Sequence, residues 1–175
     1  ATEIPYTDKY LEISEEKILS YRTTNIKDNK KLKIGIAYTG DKDANYNERN
    51  IDLQKFRTLY NINNAEFYYL QKDNCPEDKT INLGKNFKDF TDSACAVCNM
   101  DIVITTDNVI LNLAGALGVK TIALLNKETN FRWYKTSGTD IGWYKSVMPI
   151  QAQRQNDWDG VFLKTIQAIN LTAGA

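Results

Sequence analysis

The sequence predicts an α/β domain: a doubly wound, mostly parallel Rossmann-like sheet with helices on both faces. Three observations carry that expectation. The apolar runs "LKIGIAY", "DIVITT" and "KTIALL" have strand length and no polar alternation, the pattern of strands buried on both faces. Stretches with helical spacing separate these runs, so parallel strands joined by right-handed crossovers follow. The 175-residue chain is long enough to bury a core as one domain without staples.

Residues 1–30 are polar and read as an N-terminal helical and linker segment. Its helical pattern is "ISEEKILSYRTTN", with Ile13, Ile18 and Leu19 apolar, followed by the charged linker "KDNKK". Residues 31–175 form the Rossmann-like domain, opened by the strand at 32–38, which stops at Thr39-Gly40. "IDLQKFRTLYNI" is a plausible helix, "AEFYYLQ" an aromatic strand, and "INLG" a short edge strand. "TDSACAVCNM" opens with a Thr or Asp cap and reads as a helix. "NVILNLAGALG" is a helix packed through Val109, Leu113, Ala116 and Leu117 and closed by Gly118 as its C′ residue. After "KTIALL" comes an aromatic loop, 127–146, in which Phe131, Trp133, Trp143 and Tyr144 are expected to pack on the domain rather than face water. Packing is weighed there against a role for Arg132, Trp133 and Tyr134 facing the crevice. The strand "VMPIQ" and the helix "DWDGVFLKTIQAI" complete the domain.

The bulk composition narrows the function. With 22 acids against 22 bases the chain lacks the basic excess of a nucleic-acid binder. No apolar run approaches the roughly 20 residues that span a bilayer, so no transmembrane segment is expected. Cys75, Cys95 and Cys98 are too few for a structural zinc site in a chain without histidine. "CAVC" therefore reads as core packing, with Cys95 and Cys98 on one helix face. The stretch "GIAYTGDK" has one residue too many before Lys42 for a phosphate-binding P-loop, and Gly35 lies inside the strand. No G-x-G-x-x-G follows the first strand, which argues against a dinucleotide-dependent dehydrogenase.

A strand order 3-2-1-4-5-6 sets "LKIGIAY" beside "DIVITT" at the topological switch point, where ligands bind at the carboxyl ends of strands. The loops Thr39-Gly40-Asp41 and Thr106-Asp107-Asn108 leave the two strands there. Asn112, one turn into the next helix, leans back toward the same opening, and Gly115 permits a close backbone approach by a neighbouring strand or loop. Asp107 is either a helix cap or an acceptor for sugar hydroxyls. Phosphates would lie against the backbone N–H groups of 108–110, with Arg49 as the cation.

The series "KIGIAYTGDKDANYNERN", "FYYLQKD", "DFTDSACAVCNMDIVITTDNVILNLAGALGVKTIALL" and "DWDGV" resembles the C-terminal, donor-binding domain of bacterial heptosyltransferase-like glycosyltransferases, over residues 32–169. It is closest to the members associated with tetratricopeptide repeats. The resemblance implies one half of a GT-B architecture, a nucleotide-sugar donor as substrate, and no metal or cofactor. It also implies a missing N-terminal domain that holds the catalytic base, and a cytoplasmic location, with peripheral attachment at the inner membrane left open.

Residue by residue, Asp107 and Asn108 match the family's Asp-Thr at the end of the fourth strand. Thr39 and Gly40 match the loop near the diphosphate, Arg49 the basic residue, and Gln71 and Lys72 the segment near the nucleoside. Asn112 stands where the family usually has histidine, and Asn50 where it has serine. Two readings stay open: a donor-binding domain of a glycosyltransferase, or a degenerate, non-catalytic binding or interaction module.

Overall fold

The computed structural model describes residues 8–39, 50–72, 79–130, 133 and 143–173. Six strands form one sheet: β1 (Leu32–Ala37), β2 (Ala65–Tyr69), β3 (Thr80–Asn82), β4 (Ile102–Thr106), β5 (Thr121–Leu125) and β6 (Val147–Gln151). Their order is β3-β2-β1-β4-β5-β6, and every pairing is parallel. This is the doubly wound order expected from the sequence. β1 and β4 are neighbours, with Ile34 opposite Ile102 and Ala37 opposite Thr105.

The helices are α1 (Glu15–Asn25), α2 (Leu53–Phe56), α3 (Phe90–Cys98), α4 (Val109–Ala116) and α5 (Trp158–Ala173). α2 continues only as a tighter 3-10 turn through Arg57–Asn61, so the helix expected over 51–62 is shorter. Thr58, Tyr60 and Asn61 are weak helix formers, which favours that tightening. Asp52 caps α2 by accepting from Gln54 N at 2.9 Å.

Both sheet faces are covered, which is why β4 and β5 are buried along their whole length. On one face, Phe56, Leu59, Val161 and Phe162 pack against Ile34, Ile36, Ile104 and Ile122. The Phe56 and Phe162 rings meet edge to face with centroids 5.0 Å apart. On the other face, Val97, Ile110, Ala114 and Leu117 pack against Ala37, Tyr68 and Val103. Each Val, Leu, Ile or Phe among these contributes about 1.5–3 kcal/mol when fully buried. Inside β1, a Cβ on Gly35 would meet Leu70 Cδ1 at 2.6 Å and Met100 Cγ at 2.9 Å. Gly35 is thus a packing glycine, in keeping with its place inside a strand.

α3 starts two or three residues earlier than its sequence cap, Thr91 or Asp92, suggests, because Asp89 accepts from Thr91 N at 2.7 Å and Asp92 N at 3.2 Å. The first helical residue, Phe90, is left exposed. Cys95 is buried and Cys98 half-buried on this helix, and burial pushes both thiols up, away from reactivity.

The N-terminal segment rests on this face of the domain. Ile13, Tyr21 and Ile26 join its apolar layer, while Leu19 is 59% exposed. Asn99 Nδ2 donates to Ile18 O at 3.1 Å, tying α1 to the end of α3. Burial, with Asp92 and Cys95 nearby, pushes the Tyr21 phenol up to about 12. The link from α1 to β1 is pinned by Glu66: its carboxylate accepts from Tyr68 Oη at 2.6 Å and Asn29 Nδ2 at 3.3 Å, and pairs with Lys27 Nζ at 3.3 Å. Burial pushes the Glu66 carboxyl up, but these hydrogen bonds and the Lys27 charge outweigh it and hold it below its ordinary value.

α4 ends in a Schellman motif. Val119 N donates to Ala114 O at 2.9 Å and Gly118 N to Gly115 O at 3.1 Å, with Gly118 at φ +72°. Gly118→Ala is expected to lower stability by about 1–2 kcal/mol, roughly 2–8 °C in melting temperature. An unchanged melting curve would contradict the left-handed assignment. The Glu66 knot sets a pH dependence. Because its folded value is depressed, its contribution is complete above the ordinary value of 4.5 and is lost as pH falls through the lowered folded value. Melting curves from pH 7 to pH 3 should show Glu66→Gln less stable than the native chain at pH 7, the difference closing toward pH 3.

Candidate functional site

The carboxyl ends of β1, β2 and β4 converge on one backbone carbonyl. Thr39 O, just past β1, accepts from Gln71 Nε2 at 2.8 Å and from Asn108 Nδ2 at 3.1 Å. Gln71 lies just past β2. Its Oε1 accepts from Tyr38 N at 2.7 Å and Thr39 N at 3.1 Å, and its Nε2 also reaches Thr39 Oγ1 at 2.6 Å. The Gln71 carboxamide thereby completes the backbone hydrogen bonding of the β1 exit. Its own main chain is approached closely by Gly84, where a Cβ would sit 1.7 Å from Gln71 O.

Asn108 is the cap of α4. Its Oδ1 accepts from Ile110 N at 2.9 Å, Leu111 N at 3.2 Å and Thr105 Oγ1 at 3.1 Å. The capping alternative raised for Asp107 thus falls to its neighbour. Asp107 lies directly before the cap, 4% exposed, under the mouth of the crevice. The Ile110 N–H, one of the three amides expected to face phosphates, is given to the Asn108 side chain.

Asn112 Nδ2 donates to Asn108 O at 3.0 Å, and its Oδ1 accepts from Tyr144 Oη at 3.3 Å. Of the stripe expected on α4, Ala116 and Leu117 are buried and Leu113 is half-buried, whereas Val109 is 56% exposed, and Ile110, Leu111, Ala114 and Gly115 are buried as well. Val109 is the first residue of the helix, directly after the Asn108 cap. Lys72 is exposed beside Gln71. Gly40 and Arg49 lie outside the described residues, as do Phe131, Arg132 and Tyr134 of the aromatic loop. Trp133 and Tyr144 pack into a cluster with Leu111, Leu125 and Val147, as expected, whereas Trp143 is exposed.

Sequence reasoning missed a second carboxamide knot on the same edge. Asn126, past β5, is 3% exposed and donates through Nδ2 to Asn156 Oδ1 at 2.8 Å. Its Oδ1 accepts from Lys127 N at 2.9 Å and Asn156 N at 2.8 Å. Asn156 has φ 63°, a conformation asparagine visits more readily than most residues, so the "RQND" turn held a faint signal. Among the described residues no group of three or more His, Cys, Asp or Glu could hold a metal ion, and no helix is long and apolar enough to cross a membrane.

No protein-family model matches the chain, and no curated protein sequence does. Solved structures do. The glycosyl transferase family 9 structure from Veillonella parvula superposes with a TM-score of 0.63 at 14% identity, over 93% of this chain and 53% of that one. E. coli ADP-heptose LPS heptosyltransferase II superposes with a TM-score of 0.65 at 13% identity, over 94% and 54%. At these identities the likeness is one of fold: a Rossmann-like α/β domain of the kind found in these glycosyltransferases. The chain spans about half the length of each.

Asn108 can be tested apart from any ligand. Asn108→Asp keeps a good cap but cannot donate to Thr39 O, and sets a carboxylate against that carbonyl. A loss of about 1–3 kcal/mol in urea unfolding is expected. Wild-type stability in Asn108→Asp would reduce the residue to a cap alone.

Proposed function

We propose that this chain is the donor-binding, C-terminal half of a bacterial heptosyltransferase-like glycosyltransferase, of the kind associated with tetratricopeptide repeats. On this reading it binds a nucleotide-diphospho-sugar, and a second domain of the same protein supplies the acceptor site and the catalytic base. One observation carries the proposal: the β1 and β4 exits are locked together at the switch point, with Asp107, Asn108 and Asn112 gathered around them. Such a seam is where a doubly wound sheet binds its ligand.

The roles follow from chemistry. Asp107 is acceptor-only when ionised and suits sugar hydroxyls. The loop at Thr39-Gly40 and the cation Arg49 suit the diphosphate, meeting the charge that develops on the leaving group. Lys72, exposed beside Gln71, suits the nucleoside end. Gln71 and Asn108 act through the backbone they hold. The likeness in fold to the two glycosyltransferase structures supports the reading. A neutral, non-catalytic module is favoured by a different observation: Asn112, at the family's histidine position, is engaged by Asn108 O and Tyr144 Oη. Sugar transfer by the full-length protein, with and without Asn112→His, separates the two, since wild-type turnover eliminates the non-catalytic reading.

Isothermal titration of the chain against ADP, GDP and UDP and their sugar derivatives tests donor binding, and no heat from any at millimolar concentration would sink it. In the ligand that binds, Asp107→Asn should weaken affinity by roughly ten- to a hundredfold. The melting temperature should change little, because Asn108 holds the cap.

A further inference from the structure

The segment 8–13 lies across α4 and reaches the same mouth by a route the sequence does not suggest. Ala116 O accepts from both Tyr10 N and Leu11 N at 3.0 Å. Asp8 pairs with Lys145 at 3.0 Å, next to Tyr144. The Tyr10 ring stacks on Tyr144 with centroids 6.1 Å apart, and the two hydroxyls are 3.1 Å apart. Tyr144 gives its single hydroxyl proton to Asn112 Oδ1, so Tyr10 is the donor to Tyr144. A chain of hydrogen bonds therefore runs Tyr10 to Tyr144 to Asn112 to Asn108 O, and from the Asn108 side chain to Thr39 O.

The glycines of "LAGALG" fit this arrangement. A Cβ on Gly115 would stand 2.5 Å from Tyr144 Cγ, so only glycine admits the ring. A Cβ on Gly118 would stand 3.0 Å from Asp8 O, under the strap itself. The small residues at the end of α4 are the seat of Tyr144 and of segment 8–13.

We propose that Tyr144 is a positioning residue for the ligand site at the mouth, acting through Asn112, and that the 8–13 strap couples to that site through Tyr10. The proposal rests on the donor-binding reading. A carboxamide can turn over; Tyr144 Oη, as a donor, fixes its oxygen on one side and its NH₂ on the other. The NH₂ has two hydrogens, one given to Asn108 O, and this orientation presents the group to a phosphate or sugar oxygen. Because hydrogen bonds in a chain polarise one another, an acceptor at Asn112 Nδ2 strengthens the Tyr144 and Tyr10 links in turn. A filled mouth holds the strap more tightly, and a docked strap holds the mouth in shape.

Titration of the wild type with ADP, GDP, UDP and their sugar derivatives first finds the ligand; Tyr144→Phe, Tyr10→Phe and Gly115→Ala are then compared with it. Tyr144→Phe keeps the ring and is expected to weaken binding roughly three- to tenfold with little change in melting temperature. Tyr10→Phe should weaken it about two- to threefold. Amide exchange supplies the readout that a purely structural role would not move. Ligand should slow exchange at Tyr10 and Leu11 in the wild type, and much less in Tyr144→Phe and Gly115→Ala. Wild-type binding with unchanged affinity in Tyr144→Phe, or with no ligand effect on strap exchange, overturns the positioning role alone. Failure of the wild type to bind any of the probes overturns the donor reading and the positioning role with it.

Discussion

The fold turns on a single carbonyl. At the switch point, the chain leaving β1 goes to α2 on one sheet face and the chain leaving β4 goes to α4 on the other. The β1–β4 pairing stops at Ala37 and Thr105. Thr39 O closes that gap by accepting from Gln71 on one side and Asn108 on the other. A carboxamide suits the task because it donates and accepts at once. Asn108 uses one end to cap α4 and the other to hold β1. A carboxylate has no hydrogen to give to Thr39 O.

Much of the rest follows from α4 being fixed at both ends. Asn108 sets where the helix begins, and Gly118 where it stops. Between them, the helix carries Asn112 toward the mouth and buries Ile110, Leu111 and Ala114. The glycines that end it open a surface flat enough for the Tyr144 ring and for backbone from the N-terminal segment. The polar residues in an otherwise apolar helix therefore divide the work: one builds the seam, and one joins the seam to a layer outside the Rossmann core.

The layering was legible because burial on both faces leaves a direct mark. After their exposed first residues, Asp101 and Lys120, "DIVITT" and "KTIALL" hold only apolar residues and threonines, so their central places could be read without coordinates. Gly118 was legible because few residues other than glycine adopt φ +72° cheaply. Capping was one of two readings left open for Asp107, and the cap lies one position on, at Asn108, since both residue types cap equally well and only geometry separates them. Val109 was misassigned because periodicity ranks helix faces but does not say which end of the helix is left open. The Asn126–Asn156 knot and the Tyr10–Tyr144 contact escaped for a common reason: each joins residues far apart in sequence through polar atoms with no pattern.

What remains at the mouth after the structural amides are accounted for bears on how the chemistry is divided. Histidine is the only side chain that in unperturbed form changes charge between pH 5 and 8, and this chain has none. The half-buried and buried thiols of α3 are pushed up rather than down. Asn112 joins a neutral chain of hydroxyl and amide groups, so a ligand at Asn112 meets fixed dipoles. Fixed dipoles that need no reorganisation are effective at holding charge that is about to develop. They do not abstract a proton from an incoming hydroxyl. Asn112 and the groups hydrogen-bonded to it are thus suited to holding a charged ligand in place. The chain shares its fold with about half the length of each of the two glycosyltransferase structures.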